Sequence, residues 1–376
     1  MASSIVSRSF FLYLHILGAV NLEHRIALAP LTRFRASDDH VPLPFVAEYY
    51  AQRASVPGTL LISEGTIIAP QGGGYGNAPG IWTQAQIDAW KKVTEAVHAK
   101  KSYIYMQLFA LGRGASAEVL EKDGYGAKVK APSPIAIKDG PQPEELTEAE
   151  IEEYITLYTQ AAKNAIEAGF DGVEIHGANG YLLDQFLQDV SNKRIDAWGG
   201  SIEKRARLGI EVTKSIVNAI GADRTAYRLS PYSSFQDMKM ADPVPQFSYI
   251  AQELKKLKIA YLHLIEGRID GNTEVESEGE KLDFLVDIWD NVSPLFLAGG
   301  FTPDTAKKAV DEVYKGKDVV MVFGRHFISN PDLVYRIKEG IELTPYDRNL
   351  FYNAKEEKGY TTWEFSKEFE ANQSQL

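Results

Sequence analysis

The sequence predicts a single (β/α)8 barrel, and three observations point there. Eight short β-prone runs recur along the 376 residues. Segments with helical periodicity and helix punctuation separate them, and the residues able to do chemistry gather where the runs end. No Pro-, Gly- or Ser-rich linker divides the chain, so 1–376 reads as one domain with an atypical lead-in (1–20) and a loosely ordered tail (361–376).

The runs are Arg25–Ala29, Thr59–Ser63, Tyr103–Leu108, Gly172–Ile175, Thr225–Leu229, Ala260–Leu264, Pro294–Leu297 and Val319–Phe323. Their near-continuous apolar character suits parallel strands buried on both faces. Between them, Thr147 with Glu150 makes a capping box. Ile151, Tyr154, Ile155, Tyr158, Ala162 and Ala165 follow at helical spacing, and Gly169 stops the helix. Ser201 opens a helix that ends near Gly221. Thr302-Pro303 sets a capping hydroxyl before a proline at the first helical position, and Asn330-Pro331 reads as the same device. An open doubly wound sheet is the alternative, but no Gly-x-Gly-x-x-Gly follows the first strand. Gly112 to Leu146 is too long for a turn and reads as an excursion after strand three, over the active-site face. The acidic stretch Gly267 to Glu280 reads as a mobile loop, and Gly72-Gly-Gly74 as a mobile surface turn.

Hydrophobic residues make up 44% and charged residues 24%, the balance of a globular enzyme. A net charge of −11 argues against nucleic acid, which needs a basic face to replace counterions. With no cysteine, the chain has no disulfide, no thiolate nucleophile and no Cys-ligated zinc. His24 and His40 lack ligand spacing, so no metal is expected. Ser9 to Val20 resembles a signal-peptide core but reads better as a buried lead-in strand, too short to span a bilayer. Ser374-Gln-Leu376 lacks the basic middle residue of a peroxisomal signal. The expectation is a cytoplasmic monomer or homodimer without membrane contact; peroxisomal and secreted locations are the alternatives.

The densest chemistry lies in Gly169 to Phe186. A short strand ends in His176, and a Gly-rich turn then delivers Asn179 and Tyr181 within a few residues. Two neutral donors and a phenol can grip an oxyanion and hand over a proton, with no metal and no nucleophile. A histidine at a strand end is more often structural than catalytic, but Asn179 and Tyr181 in this register favour chemistry. Arg228 sits inside an apolar strand, where a guanidinium needs an anion. Thr32, Gln107 and Arg228 at strand ends suit a planar ligand with carbonyl and imide edges. Glycines after strands seven and eight, with Arg325, suit a phosphate. A phosphorylated isoalloxazine meets both demands.

The chain resembles the old yellow enzyme family of FMN-dependent ene-reductases from about Asn21 to Tyr360. The motifs are Ala29-Pro-Leu-Thr-Arg-Phe-Arg35, Glu48-Tyr-Tyr-Ala-Gln-Arg53, Leu61-Ile-Ser-Glu-Gly65, Asn77-Ala-Pro-Gly-Ile-Trp82, Gly172-Val-Glu-Ile-His-Gly-Ala-Asn-Gly-Tyr181, Trp198-Gly-Gly-Ser-Ile-Glu203 and Phe327-Ile-Ser-Asn-Pro-Asp-Leu333. Tyr346-Asp-Arg348 and Phe351-Tyr352 bring it nearest to fungal and yeast members. The resemblance implies non-covalent FMN, NADPH as hydride donor, and ping-pong reduction of the activated C=C bond of an α,β-unsaturated carbonyl compound. It implies that Thr32 bonds the flavin carbonyl nearest N5, that Gln107 and Arg228 hold the pyrimidine edge, and that Pro30, Leu31 and Gly65 line the ring. Gly299, Gly300, Gly324 and Arg325 would cradle the phosphate. His176 and Asn179 would clamp the substrate oxygen, and Tyr181 would protonate carbon. Phe109, Phe235, Phe301 and Tyr352 would shape the substrate slot. The chain departs from the family at Leu12 to Leu17, which lacks a proline, at Phe109, where many relatives carry tryptophan, and at Gly300, an asparagine in the yeast proteins.

Three readings follow: an alkene reductase, either of general enones or of a secondary metabolite such as an ergot-type aldehyde; a flavin-independent barrel lyase or hydrolase; and a flavin-binding protein without turnover. The second needs a metal-ligand set or a strand-end lysine, and neither is evident. Tyr181 argues against the third.

Overall fold

The computed structural model describes residues 15–18, 20–270, 273–274 and 280–373. Eight parallel strands close into a barrel: β1 (Ile26–Leu28), β2 (Leu60–Ile62), β3 (Tyr103–Phe109), β4 (Gly172–His176), β5 (Thr225–Leu229), β6 (Tyr261–Ile265), β7 (Leu295–Ala298) and β8 (Val319–Phe323). Closure is at β1, where Ala27 is the register partner of Leu60 on β2 and of Val322 on β8. Each strand falls on one of the eight runs.

Helices follow the strands: α1 (Val46–Arg53), α2 (Gln84–His98), α3 (Glu148–Glu167), α4 (Ile202–Ile220), α5 (Val244–Leu257), α6 (Asp283–Trp289), α7 (Pro303–Lys308) and α8 (Leu333–Glu339). Thr147 and Glu150 form the expected capping box on α3, Ser201 caps α4, and Thr302 with Thr305 caps α7. Ile151, Tyr154, Tyr158, Ala162 and Ala165 of α3 are buried against the sheet and its neighbours. Burying a side chain such as Ile151 contributes about 1.5–3 kcal/mol.

The barrel floor is built by the lead-in. His15–Leu17 pairs antiparallel with Val20–Leu22, and Leu17, Val20 and Leu22 pack with Ala27, Leu60, Ile62, Tyr105, Phe296 and Val320. A hairpin therefore plugs the lower end although Leu12 to Leu17 lacks the family proline.

Three expectations are corrected. Asn330-Pro331 does not cap α8, whose N-cap is Asp332; the Asn330 amide binds His326 O and Thr344 O instead. Gly72, Gly73 and Gly74 are buried, and the Gly72 and Gly74 carbonyls accept from Leu111 N and Ser116 N, so this is a packed connection. The tail from Thr361 is tied down. Ser366 donates through N and Oγ to Asp332, and Phe369 is buried in the helix Lys367–Gln373. His24 and His40 are structural: His24 bonds Thr59 Oγ1 at 2.9 Å, and His40 bonds Ala78 O at 2.7 Å and Asp123 at 3.1 Å. Much of the acidic loop Gly267 to Glu280, residues 1–14 and Ser374 to Leu376 lie outside the described residues. No helix among the described residues is long and apolar enough to cross a membrane.

Candidate active site

At the carboxyl end of the barrel the strand termini and the loops after them enclose a cavity. Pro30, Leu31, Asn179, Arg228, Gly299, Gly300, Phe301, Gly324 and Arg325 all line it. The structure thus brings seven of the ten candidate cofactor residues to one place. Thr32, Gly65 and Gln107 are not in its lining: Thr32 follows Leu31 directly, Gly65 lies against Phe109, and Gln107 lies buried on β3.

The turn after β4 is held from several sides. Gly177 N donates to Arg228 O at 3.1 Å, and Asn179 N donates to Ser230 Oγ at 2.8 Å. Gly180 N donates to Asp184 Oδ2 at 2.8 Å, and Gln236 Nε2 donates to Asn179 O at 2.9 Å. Asn179 has φ 55° and Gly180 φ 71°, so the chain makes two consecutive left-handed steps. A Cβ on Gly180 would also sit 2.9 Å from Gln236 and Met238 side chains. Tyr181 then becomes the N-cap of a short helix, Leu182–Leu187.

These turns place His176, Tyr181 and Phe109 together. The Phe109 and Tyr181 rings meet edge to face at 5.2 Å, and the His176 and Tyr181 rings lie 5.0 Å apart. His176 is 3% exposed, and its Nδ1 has no hydrogen-bond partner among the described residues. Burial, reinforced by Arg228 and His263, lowers its pKa well below the usual imidazole value, so it stays neutral. Burial and the hydrogen-bonded Tyr75 phenol raise the Tyr181 pKa well above the ordinary phenol value, which keeps its proton on. Tyr75 stands edge-on to Tyr181 at 6.3 Å and to Phe34 at 6.0 Å, and Tyr352 packs on Phe34 at 5.8 Å. Phe301 lines the cavity. Phe235 is half-buried, and its carbonyl lies against Gly180.

Sequence reasoning missed a buried polar layer beneath this site. Glu174 Oε1 accepts from Gln107 Nε2 at 2.7 Å, and Glu174 Oε2 is 2.8 Å from His263 Nδ1. Glu174 and His263 are both fully buried. Period-two spacing before His176 puts Glu174 on the inward face, and His263 interrupts an apolar run; together these were the available signal. Ser230, Asp184 and Tyr75 carried no comparable mark.

The residues present fit flavin mononucleotide. Arg228 is 7% exposed, and its Nε has no partner among the described residues, as a guanidinium awaiting an acceptor would leave it. Consecutive left-handed glycines, Gly299 at φ 153° and Gly300 at φ 65°, expose backbone at the cavity rim. A Cβ on Gly324 would stand 3.2 Å from Leu31 Cδ2, which only glycine avoids without crowding. Arg325, which donates to Tyr346 Oη at 3.1 Å, supplies a cation at the same rim.

Comparisons with known proteins agree. The chain is 53% identical to the chanoclavine-I aldehyde reductase fgaOx3 of Penicillium roqueforti, across 96% of this chain and 97% of that one. It is 49% identical to the NADP-dependent oxidoreductase lnbE of Aspergillus flavus, across 93% and 94%. The crystal structure of old yellow enzyme from Pichia sp. AKU4542 superimposes with a TM-score of 0.88 at 38% identity, covering 96% of this chain and 95% of that one. A family model for the NADH:flavin oxidoreductase / NADH oxidase family matches residues 14–344. The chain belongs to this family of flavin oxidoreductases, the family of the old yellow enzymes.

Proposed function

We propose that this oxidoreductase takes hydride from NADPH and reduces the C=C bond of an α,β-unsaturated carbonyl compound, an aldehyde of fungal secondary metabolism in particular. The observation that carries this is the buried, neutral His176 with an unspent Nδ1, set beside Tyr181 and next to a cavity lined by Asn179 and Arg228. The chanoclavine-I aldehyde reductase among the relatives favours an aldehyde over a general enone, and the NADP-dependent relative favours NADPH as the hydride donor. Family membership sets aside the flavin-independent lyase or hydrolase.

In this reading Pro30, Leu31, Thr32, Gly65, Gln107 and Arg228 hold the ring of FMN, and Gly299, Gly300, Gly324 and Arg325 hold its phosphate. FMN held there would supply the hydride chemistry, with NADPH as the source of the hydride that reaches the alkene. His176 and Asn179 donate hydrogen bonds to the substrate carbonyl oxygen, where negative charge grows as hydride arrives at the β-carbon. A neutral imidazole suits this role because it donates without having to be charged inside the barrel. Tyr181 holds its proton until the α-carbon becomes basic, then gives it up. Phe109, Phe235, Phe301 and Tyr352 shape an apolar slot that excludes water. NADPH and substrate occupy that slot in turn, so the kinetics are ping-pong.

Purified protein reconstituted with FMN should oxidise NADPH when given an unsaturated aldehyde and release the saturated aldehyde. Flavin bleaching by NADPH, with no turnover of any unsaturated aldehyde or enone, would leave this proposal without support.

A further inference from the structure

Glu174 is fully buried near the middle of the barrel, on a strand whose last residue is His176. A carboxylate in such a place costs far more than it returns unless its partners need it. Its partners are specific. Gln107 is its register partner on β3 and donates Nε2 to it at 2.7 Å. On the other side Glu174 reaches past β5 to His263 Nδ1 on β6 at 2.8 Å. Arg228 on β5 lies between His176 and His263 in the sheet, as the register partner of both, two residues beyond Ala226, the register partner of Glu174.

This layout has two consequences. An ionised carboxylate only accepts, so the Gln107 amide must turn its N–H toward Glu174. Its carbonyl oxygen, which has no hydrogen bond among the described residues, remains free as an acceptor. Arg228, whose Nε is also unspent, is held charged against its burial chiefly by Glu174. Burial works against the Glu174 charge, yet His263, Arg228 and Gln107 together hold its pKa below the ordinary carboxylate value. Burial lowers His263, against the pull of Glu174 and with help from Arg228, so His263 serves as a neutral donor.

We infer that Glu174 is a positioning residue for the flavin: it fixes Gln107 as an acceptor toward the ring's imide edge, and its charge offsets Arg228 and so sets the reduction potential. This rests on the reading of Gln107 and Arg228 as ligands of FMN. Glu174 touches neither cofactor nor substrate; it acts through two side chains that do.

The test separates charge from position. Glu174→Gln removes the negative charge with little change of shape, leaving Arg228 unopposed. The reduced flavin is the more negative form, so it should bind about tenfold more tightly relative to the oxidised form. That raises the midpoint potential by about 30 mV for a two-electron couple. Glu174→Asp keeps the charge but withdraws it from Gln107. It should leave the potential near wild type and weaken FMN binding several-fold, an effect that disappears when Gln107 is already Leu. Spectroelectrochemical titration and fluorescence of released FMN read both. A merely structural Glu174 would lower thermal stability in both variants without moving the potential in either. Wild-type potential and FMN affinity in every folded variant overturns the inference alone. If Glu174→Gln does not fold, Glu174→Asp with unchanged FMN affinity overturns it. A wild-type chain that takes up no FMN overturns the flavin reading and this inference with it.

Discussion

Arg228 and His176 are register partners on adjacent strands, and each leaves a buried nitrogen without a partner among the described residues. A buried nitrogen left unsatisfied costs about 1–3 kcal/mol. In the proposed reading the guanidinium takes an acceptor edge of the flavin and the imidazole takes a substrate oxygen.

FMN should therefore bind tightly, non-covalently and in preference to riboflavin. Arg325 carries the preference, since its guanidinium stands at the glycine-lined rim with Tyr346. Arg325→Ala should narrow the gap between FMN and riboflavin by about 1.5–3 kcal/mol, the worth of a hydrogen bond to a charged group. Equilibrium dialysis with both flavins checks it; an unchanged ratio places the phosphate elsewhere.

Tyr181→Phe removes the phenol proton but keeps the ring against Phe109. Reduction of an unsaturated aldehyde should slow by about 10²–10⁴-fold, while NADPH still bleaches the flavin at an undiminished rate. Stopped-flow measurement of the two half-reactions distinguishes them, and equal slowing of both would mean that Tyr181 only shapes the site.

Phenols test the clamp. A phenolate oxygen between His176 and Asn179 should give a long-wavelength charge-transfer band with oxidised flavin. Either residue changed to Ala should weaken that binding by about 1.5–3 kcal/mol. Titration followed at the new band measures it directly, and unchanged affinity in both variants removes these residues from the site.

The barrel was legible because its strands are buried on both faces and so read as unbroken apolar runs, and because Thr147, Ser201 and Thr302 mark helix starts by capping chemistry. The His176, Asn179 and Tyr181 constellation was legible for the opposite reason, since those polar residues follow an apolar strand. Glu174 and His263 escaped although the argument used for Arg228, that a polar group inside an apolar strand needs a partner, applied to them equally. The tail escaped because its anchors are polar contacts to distant residues. Ser366 binds Asp332, and the Gln52 amide and the Arg336 guanidinium reach the carbonyls of Thr361 and Glu364; no local pattern encodes such pairings.

Asp184 should make the site's stability depend on pH. Burial raises its pKa from 3.8 to about 7, although Gln188 and the Gly180 N–H oppose the shift. A folded-state pKa above the unfolded value means the native form holds the proton more firmly. The stability this gives is full below about pH 4 and is lost as pH rises through about 7. Asp184→Asn cannot titrate, so the melting temperature of wild type minus that of the variant should shrink between those limits. Thermal melts across the window check it, and a constant difference would show that Asp184 stays ionised in the fold.

Phe109 offers the last test, of specificity. Its ring is 1% exposed, stands edge to face with Tyr181, lies 6.2 Å from the His176 ring, and comes within 3.1 Å of where a Gly65 Cβ would be. It is therefore packed into the wall and meets the site through Tyr181 and His176. Phe109→Trp adds a second ring and an N–H that this wall has no space to absorb. Part of the indole must enter the slot or displace Tyr181, and overpacking of this kind costs about 1–3 kcal/mol. Turnover of bulky substituted enones should fall, small cyclic enones should be spared, and the favoured enantiomer of a substituted product should change with the altered pose. Chiral chromatography of products from a matched enone series measures both effects. If substrate range and stereochemistry both survive the change, Phe109 belongs to the packing around Leu111, Leu120 and Val129, and the slot takes its shape from other residues.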